Sequence, residues 1–506
     1  MKRPQSLKLS ASAQTLPIVI GYGANLLGTP FIVASLGLTS FGLWALTGAV
    51  AQYGVLLDLG VSRAIVRYVA LYHAQNDREK ERAIIGGCVI VIVIMGCLLM
   101  SLPLLIPAQL GHLIGTDDMS LARLLFISSI VVLITGILGA IFAGASIGRG
   151  RTVAASIGVA IQRASVVTGG IVAIIFNPTL WHFALGSATG GAIGLFVVLI
   201  AILLDEREIR IARPRMSIMR DLISFSLKGQ VMSVAEIVLF QSGKLLAGII
   251  IGPAAAGAYE LGSRLALGAR AFGTSASSVL SAHLTRGYAL NGPEELRRDY
   301  ARLVQRNAAV SNFALLFLVA TSFSVVPIWL GSAHEDVVWV VIALTTAYTV
   351  NVSTGVTNAV AFAMNQLGIV TIVAIGGSLL AVALELPLAH YVGLKGILIG
   401  MVAAIIASSM GGVIVIHRAN SIPWASFFSS IRGPFAVGLV SVAFAIPVGI
   451  LCSPTDRASA IIPFMCSAGI FCTLYTILGW RLGYLPAVAS LTGWRARRAA
   501  ISLADK

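Results

Sequence analysis

The sequence predicts an all-α polytopic membrane protein with about 14 transmembrane helices, arranged as two six-helix lobes related as parallel repeats plus two extra C-terminal helices. The 506 residues are 57% hydrophobic and only 11% charged, and their mean hydropathy is +0.93. Such a chain is far more apolar than a soluble globular protein. Membrane-barrel strands would alternate apolar and polar residues, and these apolar runs do not alternate.

Apolar runs long enough to cross a hydrocarbon core of about 30 Å recur along the whole chain. The predicted spans are 12–36, 41–63, 83–108, 120–145, 152–176, 181–204, 224–250, 255–280, 307–331, 337–363, 367–391, 394–417, 433–452 and 458–483. The first run follows a basic stretch that resembles a signal peptide, but it is too long for one and is assigned as the first helix. An even number of spans places both termini on one side.

Lys and Arg in the loops predict the orientation, because basic loops resist translocation and stay in the cytoplasm. The loops assigned to the inside contain Lys2, Arg3 and Lys8; Arg78, Lys80 and Arg82; Arg149 and Arg151; Arg207, Arg210, Arg213, Arg215 and Arg220; Arg297, Arg298, Arg302 and Arg306; Arg418 and Arg432; and Arg495, Arg497, Arg498 and Lys506. The outer loops offer little beyond Lys395 and Arg457. Both termini are therefore expected to be cytoplasmic, and the formal charge of +15 reflects topology and contact with anionic lipids. No basic soluble domain remains to bind nucleic acid.

An internal repeat organises the chain. A constant offset of 215 residues aligns Gly28 with Gly243, Gly37 with Gly252, Gly42 with Gly257, Trp44 with Tyr259, Ala74 with Ala289, Asn76 with Asn291, Glu79 with Glu294 and Arg82 with Arg297. Because the repeat is six helices long, both copies have the same orientation in the membrane. The sequence thus predicts an N-terminal lobe and linker (1–220), a C-terminal lobe (221–432), appended helices 13 and 14 (433–483) and a basic cytoplasmic tail (484–506).

Three stretches carry a resemblance to a known family: "LGLTSFGLWAL", "DLGVSRAIVRYVA" and the second-half echo "IGPAAAGAYELGSRL". With the fourteen-span layout, they make the chain similar to the polysaccharide transport group, including the Wzx-type flippases, of the multidrug/oligosaccharidyl-lipid/polysaccharide exporter superfamily. The resemblance implies transfer of a lipid-linked sugar intermediate to the outer leaflet of a bacterial plasma membrane, through a cationic cavity between two lobes. Many relatives have an acidic residue in helix 7 where this chain has Gly243 and Lys244, so any role of that acid does not carry over.

Charged residues deep in the spans are the candidate functional groups, since each costs about 2.5–3.5 kcal/mol at a helix centre unless it faces protein or water. The predicted substrate-binding residues are Arg163, Lys244, Arg264, Arg270, Asn25 and Asn351, and the predicted ion-coupling residues are Glu236, Glu385 and Asp58. Glu260 and Arg264 are spaced to pair with each other, and the asparagines are equally suited to bonding between helices. Arg63 and Arg67, near Asp58 at the cytoplasmic end of span 2, are expected mainly to reach the headgroups.

Basic residues outnumber acidic ones in these spans, which favours a substrate with a pyrophosphate head. Two alternatives belong to the same superfamily: a multidrug exporter, which would need cavity carboxylates and aromatics, and a peptidoglycan-precursor flippase. A glycosyl polymerase or ligase is disfavoured because the outer loops are short and no catalytic carboxylate pair is evident. No Walker motif, metal-ligand spacing or other cofactor signature is present, and the five cysteines lie in or beside apolar runs, as core residues do. A proton or cation, membrane lipids and other proteins of glycan biosynthesis are the expected partners besides the lipid-linked glycan.

Overall fold

The computed structural model of the protein describes residues 7–54, 61–206, 212, 216–364 and 366–484. Within these ranges the chain forms fifteen α-helices, one π-helical turn (Ala247–Ile251) and no β-strand. The helices are α1 (Leu7–Tyr53), α2 (Val61–Ala74), α3 (Arg78–Leu105), α4 (Pro107–Ile114), α5 (Met119–Gly148), α6 (Thr152–Phe176), α7 (Leu180–Glu206), α8 (Met216–Leu246), α9 (Pro253–Leu330), α10 (Glu335–Ser353), α11 (Gly355–Ala363), α12 (Leu367–Val392), α13 (Leu394–Ala419), α14 (Trp424–Cys452) and α15 (Arg457–Arg481). The all-α polytopic class is confirmed.

Twelve helices in the described ranges are long and apolar enough to cross a membrane. One of these stretches, Val19–Tyr53, joins the first predicted span to the start of the second, since α1 runs from one into the other and breaks its helical geometry only at Gly37. Helix α9 likewise contains the eighth and ninth predicted spans and the connection between them. That connection is polar, as a loop would be, but it is rich in Glu, Leu, Arg and Ala, which are strong helix formers.

Other element boundaries also differ from the apolar pattern. In the second predicted span, 41–63, α1 ends at Tyr53 and α2 begins at Val61, and residues 55–60 lie outside the described residues. The tenth predicted span is interrupted at Thr354, between α10 and α11. Helix α4 follows α3 directly and ends at Gly115, which has the left-handed conformation (φ 80°) typical of a helix C-terminus. Hydropathy predicts where apolar runs lie, but it does not predict helix ends inside such runs, because these depend on local backbone geometry.

One compact unit comprises Met1–Glu260 and Glu385–Ile397. Its apolar core is built mainly from α2, α3, α5 and α7 and includes Ile84 and Ile141, both fully buried. Helices α6 and α7 pack backbone to backbone: a Cβ on Gly190 would lie 2.1 Å from the Ser165 carbonyl oxygen. Small residues permit such close approach between helices in membranes.

Charged residues at one end of this unit join several helices. Glu81 of α3 is buried, accepts a hydrogen bond from Arg149 and lies 3.3 Å from His73 Nδ1. Arg151 forms an ion pair with Asp205, at the end of α7, with 3.7 Å between Nη1 and Oδ2. Both arginines belong to predicted cytoplasmic loops, so some of the loop charge is used in contacts within the protein rather than with lipid.

The second compact unit comprises Leu261–Leu384 and Leu398–Lys506. Helices α14 and α15 pack against the last part of α9, around Phe471 and Tyr475. The Tyr475 hydroxyl donates a 2.7 Å hydrogen bond to the carbonyl of Ala309. In the same unit, the buried Tyr300 hydroxyl lies 2.6 Å from Thr357 Oγ1 and 2.7 Å from His417 Nε2.

The internal repeat has a structural counterpart at two glycines aligned by the 215-residue offset. Gly37 has φ 78° and ψ 164°, and it interrupts α1 between the first two predicted spans. Gly252 has φ 133° and ψ 171°, and it separates the π-helical turn from α9. Both backbones occupy regions that residues with a Cβ rarely adopt, so the two halves of the sequence use glycine for the same break at the same position.

Candidate functional site

Arg270, near the middle of the eighth predicted span, is held by two residues of α10. Its Nη2 donates a 3.2 Å hydrogen bond to Asn351 Oδ1, and its guanidinium carbon lies 5.1 Å from the centre of the Tyr348 ring. Asn351 Nδ2 in turn donates a 3.1 Å hydrogen bond to Ser409 Oγ on α13. An amide and an aromatic ring thus orient a half-buried guanidinium that has five N–H donors.

Arg163 of α6 and Asn25 of α1 both contact Gly21 of α1. The Arg163 stem packs on Gly21, where an added Cβ would lie 3.0 Å from Arg163 Cδ. Arg163 Nη1 donates a 3.3 Å hydrogen bond to the Pro17 carbonyl, and Asn25 Nδ2 donates a 2.9 Å bond to the Gly21 carbonyl. The Arg163 side chain is otherwise exposed, although it lies at the midpoint of α6.

Lys244 of α8 forms a buried ion pair with Glu260 of α9, with 2.9 Å between Nζ and Oε2. The two side chains are only 8% and 17% exposed. Gly243 and Tyr259, which directly precede Lys244 and Glu260, are also in contact. The Tyr259 ring fills the space beside Gly243, where a Cβ would lie 2.6 Å from the tyrosine hydroxyl. This pair of contacts fastens α8 to α9 across the π-helical turn, and it gives the predicted substrate-binding lysine a carboxylate partner.

Two of the three predicted coupling carboxylates, Glu385 and Glu236, have opposite environments. Glu385 on α12 is fully buried, and neither carboxyl oxygen has a hydrogen-bond partner among the described residues. Ser242 of α8 lies near this carboxyl, but its own buried hydroxyl also forms no hydrogen bond within the described part of the chain. Glu236 of α8 is exposed. Burial therefore singles out Glu385 as the carboxyl that needs a proton or a cation.

The remaining predicted residues are less informative. Arg264 lies on α9 one helical turn after Glu260 and is half-buried. Asp58 lies outside the described residues. Arg67 of α2 is exposed, as expected for a residue that reaches the headgroups. The described residues include no group of three or more His, Cys, Asp or Glu suited to a metal ion.

Sequence reasoning missed the partners that orient Arg270. Tyr348 precedes Asn351 by three residues and therefore lies on the same face of α10. The helical spacing of these two residues could have identified Tyr348 from the sequence. Ser409 has no such signal, because its contact with Asn351 joins positions 58 residues apart. The Lys244–Glu260 contact is a tertiary one as well, since the residues lie on two helices separated by the π-helical turn.

Comparison with known proteins agrees with this architecture. Residues 10–280 match the family described as "Polysaccharide biosynthesis protein". Over 315 residues the chain is 22% identical to the uncharacterized membrane protein EpsK of Bacillus subtilis (strain 168), and the match covers 61% of this chain and 62% of EpsK. The match thus spans less than two thirds of that relative.

Two solved structures show the same fold. The lipid II flippase MurJ, in an inward closed conformation, superposes with a TM-score of 0.67 at 14% identity and covers 94% of this chain and 99% of MurJ. An inward-facing multidrug resistance MATE transporter of the MOP superfamily superposes with a TM-score of 0.59 at 18% identity, covering 82% of this chain and 98% of that one. The family match covers more than half of the sequence and agrees with the resemblance carried by the motifs. This chain therefore belongs to the family described as "Polysaccharide biosynthesis protein" and shares its fold with these two solved structures.

Proposed function

We propose that the protein is a flippase that moves a lipid-linked oligosaccharide or polysaccharide precursor, joined to its lipid through a pyrophosphate, from the cytoplasmic to the outer leaflet of a bacterial plasma membrane. It acts by alternating access and makes or breaks no covalent bond. Both termini lie in the cytoplasm in this proposal, and proteins of glycan biosynthesis supply the substrate.

The observation that carries the proposal is the orientation of Arg270. Its hydrogen bond to Asn351 and its position over the Tyr348 ring hold the guanidinium through uncharged groups. Such contacts fix the plane of the guanidinium. A planar donor fork at a fixed orientation suits the oxygens of a phosphate, to which arginine binds in a bidentate manner.

Exposure of charge inside the spans supports a water-filled path. Arg163 lies at the midpoint of α6 and is exposed, and Glu236 is exposed on α8. Since charge facing lipid at that depth costs several kcal/mol, these side chains are better explained by a polar cavity. We propose Arg163 and Arg270 each as a cation that contacts the substrate head during transport.

Glu385 is proposed as the coupling group. A buried carboxyl whose oxygens have no hydrogen-bond partner in the described chain is stable when it carries a proton or accompanies a cation. Exchange of that proton or cation between the two sides would link the conformational change to an ion gradient. Lys244 and Arg264 remain proposed substrate contacts, and Lys244 has Glu260 as its resting partner.

Reconstitution into liposomes tests the substrate class. The purified chain is incorporated with a fluorescent glycan linked to a polyprenyl lipid through a pyrophosphate, and flipping is measured as loss of protection from an external quencher. A glycan on a neutral lipid and a cationic drug serve as competing substrates. We expect flipping of the pyrophosphate-linked glycan only. Transport of the drug without movement of the glycan would identify a multidrug exporter instead.

A further inference from the structure

Ser409 of α13 ends a network of hydrogen bonds that begins at Arg270. Arg270 Nη2 donates a 3.2 Å hydrogen bond to Asn351 Oδ1, and Asn351 Nδ2 donates a 3.1 Å hydrogen bond to Ser409 Oγ. Ser409 is buried, with only 8% of its surface exposed. The network therefore joins α9, α10 and α13 within one compact unit.

The chemistry of the three groups sets the direction of both bonds. A guanidinium only donates hydrogen bonds, so the atom of Asn351 that faces Arg270 must be the amide oxygen. The amide nitrogen then faces Ser409, whose hydroxyl oxygen can accept a hydrogen bond. A reversed amide would direct its N–H groups at the guanidinium, where neither group could accept. Ser409 therefore favours the one orientation of the Asn351 amide that can hold Arg270.

Tyr348 and Asn351 constrain the guanidinium in different ways. The guanidinium carbon lies 5.1 Å from the centre of the buried Tyr348 ring, and a cation over an aromatic face is attracted to that ring. This attraction leaves the guanidinium able to turn above the ring. Because the N–H groups lie in the guanidinium plane, the bond from Arg270 to Asn351 limits that rotation. The amide orientation thus sets the direction in which the N–H donors point.

We propose that Ser409 is a positioning residue of the transporter, which acts through the Asn351 amide to direct the Arg270 donors at the substrate phosphate. This step rests on the proposed function. Bidentate binding of a phosphate by arginine depends on the direction of its N–H donors, so Ser409 affects substrate affinity without touching the substrate. Asn351 has a positioning role as well, because its amide is engaged with Arg270 on one side and with Ser409 on the other.

Ser408 supplies a matched control for Ser409. It precedes Ser409 on α13, and its hydroxyl donates a 3.2 Å hydrogen bond to the Val373 carbonyl of α12. Ser408→Ala therefore removes an interhelical hydrogen bond of a serine hydroxyl from the same helix, at a position that bonds to α12 rather than to Asn351. A merely structural role for Ser409 predicts similar effects of alanine at the two positions. A positioning role predicts an effect on the substrate at Ser409 alone.

Flipping kinetics in liposomes with the pyrophosphate-linked glycan measure that effect. Ser409→Ala should raise KM about tenfold with little change in kcat, because the hydrogen bond from the charged Arg270 to Asn351 is weakened. Ser409→Thr keeps the hydroxyl and should keep the parent KM, as should Ser408→Ala. In an Asn351→Leu background, Ser409→Ala should add no further change, because the amide through which it acts is absent. Equal KM values for the two alanine variants, or additive effects of Ser409→Ala and Asn351→Leu, would overturn the proposal.

Modification of Arg270 by phenylglyoxal gives a second measurement that needs no glycan. The reagent reacts with guanidinium nitrogens, and mass spectrometry of the purified protein in detergent follows the rate at Arg270. Ser409→Ala should raise this rate about tenfold, because the bond at Nη2 is released more often, and Ser408→Ala should leave it unchanged.

Ser409→Cys keeps the proposal testable if Ser409→Ala does not insert. Its sulfur is a weak acceptor on a side chain of similar size, so the modification rate of Arg270 should be intermediate. A parent rate in every Ser409 variant that inserts would overturn the proposal. The expected rates in a protein that flips no pyrophosphate-linked glycan would support the orientation of Arg270 by Ser409 and overturn only the proposed substrate.

Discussion

Removal of the Glu260 carboxylate should destabilise the protein strongly, because it leaves the Lys244 ammonium buried without its counter-charge. The ion pair is 2.9 Å long, and the lysine side chain is only 8% exposed. Loss of one partner of a buried pair typically costs about 3–5 kcal/mol. Since Glu260 is 17% exposed, Glu260→Gln should lie at the lower end, near 3 kcal/mol, or about a 150-fold change in the unfolding equilibrium.

Equilibrium unfolding in mixed detergent micelles measures this cost. The double variant Lys244→Met, Glu260→Gln removes both charges and should recover most of the lost stability, since buried pairs are often replaceable by uncharged groups. Glu79→Gln is the control, because Glu79 is exposed on α3 and the cost of losing such a charge stays below about 1 kcal/mol. An unchanged free energy of unfolding in Glu260→Gln would refute a stabilising role for the buried ion pair. A double variant as unstable as the sum of its single changes would refute it as well.

The same double variant distinguishes two roles for Lys244. If the lysine only fastens α8 to α9, a stable double variant should flip substrate at nearly the parent rate. If Lys244 leaves Glu260 to hold a phosphate during the cycle, the stable double variant should lose flipping, because the point charge is absent. The flipping rate at matched stability thus separates a structural contact from a substrate contact.

Two further predictions concern orientation and coupling. Cysteines at Ser332 and Thr455 should react with an impermeant thiol reagent from outside intact cells, and a cysteine at Ser217 should not. The loops that contain residues 332 and 455 are joined by a hydrogen bond from the Ala333 amide to the Thr455 carbonyl, so both cysteines should label together. Labelling only at residue 217 would reverse the orientation. Glu385→Gln should abolish the dependence of flipping on an ion gradient, because a neutral amide neither binds a proton nor balances a cation. Glu236→Gln, at an exposed position, should have a smaller effect. Unchanged ion dependence in a chain with both changes would exclude these carboxyls from coupling.

The sequence predicted those parts of the fold that depend on periodicity and local backbone preference. Apolar runs located the spans, and the repeat aligned Gly37 with Gly252, where the structure shows paired breaks. The continuous backbone of α9 was missed because polarity suggests a loop even where the residues are good helix formers.

The candidate site was predictable as a set of residue types but not as a set of contacts. The cost of burying charge identified Arg270, Lys244 and Glu385 from their depth alone. The bond from Arg270 to Asn351 joins residues 81 positions apart, and no local pattern encodes such a distance.

The measurement that tests the central claim most directly is the flipping rate of a pyrophosphate-linked glycan in liposomes that contain Arg270 variants. The account predicts that Arg270→Gln inserts and remains stable but flips no substrate, while Arg270→Lys retains partial activity because a positive charge survives without bidentate geometry. Arg163→Gln combined with Arg270→Gln should be inactive as well. A normal flipping rate in the stably inserted double variant would contradict the proposal that these arginines contact the phosphate.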